Sequence, residues 1–92
     1  MNFYLAVSAQ YVLKAGNELC SNAEIVDQLD ECKLAIRVLK DYGVDVTFWR
    51  TESTSSWPKG CYKSANTANV YFNTHGSGTK HELAFPICKK GE

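Results

Sequence analysis

Four cysteines, Cys20, Cys32, Cys61 and Cys88, in a chain of 92 residues constrain this sequence more than any other feature. Their number is even and their spacings are wide. A structural zinc site draws ligands in close pairs, because a tight turn presents two of them to one ion. No C-x-x-C or H-x-x-x-H pair occurs, and His75 and His81 lie in a Gly/Ser-rich stretch with no cysteine close by. The cysteines therefore read as two disulfides rather than a metal site. Disulfides imply an oxidising compartment: secreted, cell-surface or lumenal.

A chain this short builds one modest core. Ten basic residues balance ten acidic ones, for a formal net charge of zero. A nucleic-acid binder would show a basic excess, and a membrane-surface protein a polybasic cluster. No apolar run approaches the ~20 residues of a membrane-crossing helix, so membrane insertion is not expected. At the N-terminus, residues 1–10 begin with the apolar run MNFYLAVSA. Two readings stay open there. Phe3, Leu5 and Val7 alternate as on a strand, while Val7-Ser8-Ala9 has the small-x-small pattern of a signal-peptide remnant.

Residues 11–92 read as a single disulfide-stapled α+β domain. YVLKA (11–15) is a short strand closed by Gly16-Asn17. Ser21 and Glu24 have the spacing of a capping box. Ile25, Leu29, Cys32, Ile36 and Leu39 then recur at helical spacing as one apolar stripe, and Gly43 suits the left-handed end of that helix. Cys32 sits in the stripe and so points at whatever the helix covers. Val44, Val46 and Phe48 alternate with Asp45, Thr47 and Trp49 as a half-buried strand over 44–51. ESTSSWPKG (52–60) is a loop. CYK (61–63) and NVYFN (69–73) form a hairpin, HGSGTKH (75–81) a flexible loop, and LAFPICK (83–89) a last strand with Leu83, Phe85 and Ile87 on one face. Pro86 lacks an N–H and prefers an edge or a bulge. The fold class is thus α+β: a single helix packed on a small antiparallel sheet.

These placements select one of three possible disulfide connectivities. Cys32 faces the sheet from mid-helix, and Cys61 opens a strand. Cys20 precedes the helix and Cys88 closes the last strand. The expected pairs are Cys32–Cys61 and Cys20–Cys88.

The strings ECKLAIRVLKDYG, WPKGCY, NVYFNTHGSG and PICK, following Cys20, resemble a small four-cysteine domain. That domain recurs in predicted secreted and surface proteins of aquatic algae and protists. The resemblance spans roughly residues 11 to 90, and WPKGCY and VYFNTH are its specific parts. It implies an extracellular module, often embedded in larger chains, and it carries no activity or catalytic residues. The helix cysteine braced to a sheet is also similar in architecture to PAN/apple modules, which bind proteins or glycans.

No constellation points to catalysis. Ser, His and Asp all occur, but no motif brings a nucleophile, base and orienting group together. Asp27, Asp30 and Glu31 share the helix as a solvated acidic face. HGSG is too short for a phosphate cradle and no Lys-Ser/Thr pair follows, so no cofactor is expected. Binding fits better. Trp49, Tyr62 and Tyr71 are expected on the strand face opposite the core, and Trp57, Tyr62 and Asn73, with the His75–Thr79 loop, are expected to border one exposed patch. Aromatic rings flanked by hydrogen-bonding side chains suit a glycan or protein ligand. Packing is the competing role: Trp49 and Trp57 would then cover a second small core. Thr51–Ser56 is a solvated run open to O-glycans, and no N-x-S/T sequon is present.

Two functional classes follow. The first is a secreted, non-catalytic recognition module. The second is a structural subunit of an extracellular matrix, coat or filament, assembled from copies of itself through the N-terminal strand and sheet edges. An inhibitor or toxin fits the size but not the cysteine density. Non-reducing peptide mapping of the secreted chain should recover Cys20 joined to Cys88 and Cys32 joined to Cys61; a peptide linking Cys20 to Cys32 would refute the assignment.

Overall fold

A computed structural model describes residues 4–91. Six strands form a single sheet: β1 (Tyr4–Val7), β2 (Tyr11–Lys14), β3 (Thr47–Glu52), β4 (Gly60–Ser64), β5 (Asn69–Asn73) and β6 (Ala84–Lys89). Their order across the sheet is β1-β2-β6-β4-β5-β3. One helix, α1 (Leu29–Asp41), lies on one face. Cys32, Ala35, Ile36 and Leu39 are its buried positions. They meet Leu13, Val46, Cys61, Val70, Phe72 and Ile87 in the core. The fold is α+β, small and stapled by two disulfides, Cys20–Cys88 and Cys32–Cys61. No helix among the described residues is long and apolar enough to cross a membrane.

The expected stripe is on the helix from Leu29 onward, but Ile25 lies before it, because the helix begins about two turns later than its capping box implies. Ser21 makes no side-chain cap; its carbonyl accepts from the Glu24 N–H at 2.9 Å in a single 3-10 turn. Ile25 then pairs with Cys88 as an isolated bridge, and α1 starts only after extended Gln28. The cause is the cross-link. Cys20 bound to Cys88 holds this segment along β6, where Ile25 bridges to Cys88 before the helix starts. At the other end Gly43 adopts φ +87° as expected, and its N–H donates to the Lys40 carbonyl at 2.9 Å.

Pro86 is not at an edge. β6 lies between β2 and β4, but it changes partner at the proline. Ala84–Pro86 pair with β4, and Ile87–Lys89 pair with β2. A residue without an N–H is tolerated inside the sheet because one ladder ends there and the next begins one residue later. Leu83, expected on the core face, lies outside the strand and is exposed.

The sheet is mostly antiparallel, with one exception. β3 runs parallel to β5, while β4 runs antiparallel to β5 from its other side. The 53–59 loop therefore has to arch across the end of β5. Asn73 is that end, and it is registered with Glu52 on β3 and with Gly60 on β4. At the N-terminus, β1 pairs antiparallel with β2, with Ala6 packed on the core and Leu5 and Val7 exposed. Of the two readings of this segment, residues 4–7 form a strand, with Leu5 and Val7 turned outward and a bulge between Tyr4 and Ala6. Phe3 lies outside the described residues.

Gly60 has φ +86°, and a Cβ there would sit 2.6 Å from the Val26 carbonyl oxygen. Gly60→Ala should cost more than ~1 kcal/mol, since neither the backbone conformation nor the space is available. Gly76 has nothing within 4 Å of its Cβ position, so Gly76→Ala should leave the melting temperature level or slightly raised. Thermal melts of the two variants check this contrast. Replacing Cys32 and Cys61 by Ala together should cost on the order of 3–4 kcal/mol in the chain-entropy account, measured by urea unfolding.

Candidate functional site

The outer face of the sheet, away from α1, carries a row of rings. Tyr62 lies parallel to Trp57, with centroids 5.8 Å apart, and to Tyr71, at 5.3 Å. His81 stacks on the far side of Trp57 at 4.0 Å, and the Arg50 guanidinium lies 5.9 Å from the Tyr71 ring centre. The row is His81–Trp57–Tyr62–Tyr71–Arg50. Offset stacking and cation–π contact account for it. Its consequence is that the ring faces serve one another. Tyr62 is only 3% exposed although it points away from the helix.

The Tyr62 hydroxyl donates to the Glu52 carboxylate. Burial, reinforced by Glu52, pushes its ionisation well above the usual phenol range. Arg50, Glu52, Trp57, Tyr71 and Leu83 border a shallow cleft of about 160 Å³ beside the row. On the helix side, burial and the Glu31 carboxylate push Tyr11 up to about 12, its hydroxyl donating to Glu31 at 3.1 Å.

Asn73, expected on an exposed patch, is buried at 1% exposure. Its amide nitrogen donates to the carbonyls of Thr54 (2.9 Å), Trp57 (3.1 Å) and Pro58 (3.0 Å). Its oxygen accepts from the N–H groups of Thr54 (3.1 Å) and His75 (3.2 Å). One side chain thus satisfies the polar backbone of the loop that arches over β5. The 75–81 segment, expected to be flexible, is held down as well. The Thr79 N–H donates to the Trp57 carbonyl at 3.1 Å, and a Cβ on Gly78 would lie 2.3 Å from the Lys59 nitrogen. His75 is half-buried and accepts from the Ser77 N–H at 3.1 Å.

Trp49 does not join the row. Phe48 is registered with Val70, and Arg50 with Tyr71, so Trp49 is the extra residue of a bulge in β3. The bulge turns Phe48 toward the helix, where the Lys33 ammonium lies 5.1 Å from its ring centre, and turns Arg50 toward the outer face. Trp49 is left at the sheet edge, 57% exposed. Of the six residues expected to bind ligand, the structure gathers Trp57, Tyr62 and Tyr71 by mutual stacking. It buries Asn73, half-buries His75 in its loop and leaves Trp49 apart. Sequence reasoning missed Arg50, Glu52 and His81, which complete or border the row. Arg50 follows Trp49 directly, and only the bulge, invisible in the sequence, puts it opposite Tyr71.

No family model, curated protein or solved structure matches the chain.

Asn73→Ala strips donors from buried carbonyls and should cost roughly 3 kcal/mol, read as a lowered denaturant midpoint. Tyr11 and Tyr62 both ionise less readily folded than unfolded. Their contribution is therefore intact below the unfolded phenol pKa and is lost as pH rises through the folded values. Stability should fall between about pH 10 and about pH 12, and native phenolate absorbance there should lag that of the denatured chain. Coincident native and denatured titrations would contradict the two hydrogen bonds.

Proposed function

We propose that this chain is a secreted or cell-surface recognition module, without catalytic activity, that binds a glycan or protein partner at the β3 edge. The observation that carries this reading is Trp49. The chain commits Trp57, Tyr62 and Tyr71 to packing against one another, yet holds its second tryptophan in the open on an edge strand, at a bulge. Tryptophan in such a position is a common anchor of binding surfaces. Bulges at sheet edges commonly re-aim a side chain. Phe48 and Arg50 flank it, and two disulfides fit an extracellular setting. The resemblance to secreted four-cysteine domains supports the same reading.

A second reading rests on the other edge. β1 is also open on one side and exposes Tyr4, Leu5 and Val7. In a structural subunit this strand would pair with a neighbouring copy.

Two substitutions separate anchor from packing. Trp49→Ala should leave the melting temperature within about 2 °C of the parent while abolishing binding on arrays of glycans and extracellular proteins. Trp57→Ala should do the reverse, costing roughly 3 kcal/mol of stability. Equal binding by the Trp49→Ala variant, or concentration-dependent sedimentation abolished by a β1 proline, would favour the structural subunit.

A further inference from the structure

Resting on that reading, we infer that the β3 edge takes an acidic polypeptide segment in extended conformation, added as a seventh strand beside β3. An edge strand presents main-chain N–H and C=O groups with no strand partner on one side, and another strand is the partner whose backbone fits them. β3 is such an edge and spans Thr47–Glu52. The groove beside it, between α1 and β3, is floored by Ile36 and Phe48 and rimmed by Lys33, Arg37 and Asp30. Arg50 adds a cation from the outer face. Three cations thus bracket the edge on both sides. The outer-face carboxylate, Glu52, already accepts from Tyr62.

This charge pattern selects the occupant. A second copy of the chain pairing β3 to β3 would bring Lys33, Arg37 and Arg50 against their own counterparts, a repulsion of the kind that edges use to prevent self-pairing. An acidic strand meets the same charges with opposite sign. Its alternate side chains fall on the two faces. Those on the helix side reach Ile36 and Phe48 within the Lys33/Arg37 rim, and those on the other side reach Arg50. Trp49, displaced by the bulge, covers the added strand at its middle. The anion chemistry alone would also suit a sulfated glycan, but a glycan makes no use of the open ladder.

The test uses the intact disulfide-bonded chain and three probes: an alternating glutamate–valine peptide, the matching lysine–valine peptide and a heparin oligosaccharide. Proton–nitrogen spectra follow the Trp49 indole, and amide exchange follows Phe48–Thr51. The glutamate–valine peptide should shift the indole and slow exchange along β3, and the lysine–valine peptide should do neither. The double variant Lys33→Glu/Arg37→Glu should weaken the acidic peptide by on the order of tenfold or more and favour the basic one. Heparin shifting Trp49 without slowing β3 exchange would overturn the strand inference and leave the recognition reading standing. If no probe shifts Trp49, the inference and the β3-edge reading both fall.

Discussion

The covalent link between Cys32 and Cys61 organises this molecule. A single helix of 13 residues is too short to be stable alone and must be held on the sheet. Cys32 is fully buried and Cys61 is 2% exposed, so the bond lies inside the core. It fixes the helix over β4, near the middle of the sheet. Leu39, Ile36 and Ala35 then pack against Val46, Val70 and Ile87 around it. The second bond, Cys20–Cys88, ties the approach to the helix onto β6 and sets where helical structure can begin.

With the helix face closed, the other face is left to satisfy itself. It does so with rings and one amide. The Trp57–Tyr62–Tyr71 stack shields the outer side of β4 and β5. Asn73 holds the loop that lets β3 come round parallel to β5. The two are connected, because the loop that Asn73 pins also delivers Trp57 to the stack. A large, half-buried tryptophan in a serine-rich loop thereby becomes part of the scaffold. β3 is delivered as a free edge on rigid support, the kind of placement on which binding groups are commonly held.

Much of this was legible in the residues. The apolar spacing through Cys32, Ile36 and Leu39 identified the buried helix face. The positions of the four cysteines relative to that helix and the strands were enough to choose the pairing. The hairpin alternation of Val70 and Phe72 against Tyr71 also held. What was illegible depends on distant partners. Ser21 and Glu24 have capping-box spacing, but a bond to Cys88 decides their conformation. Pro86 reads as an edge residue until two ladders meet at it. Asn73 looks like a polar strand end, and four of its five hydrogen bonds are to residues brought near by a crossover. A one-residue bulge separates Trp49 from the face that strict alternation gives it, and period-two reasoning has no means to see that.

The two tryptophans have opposite placements, Trp49 free at an edge and Trp57 locked between Tyr62 and His81. Collisional quenching of fluorescence by iodide reads this directly, using Trp57→Phe to isolate Trp49 and Trp49→Phe to isolate Trp57. The structure predicts strong quenching of Trp49, close to that of the unfolded chain, and weak quenching of Trp57. Equal accessibility of the two, or a Trp57 that is quenched more readily than Trp49, would contradict the assignment of packing to Trp57 and of an open edge position to Trp49.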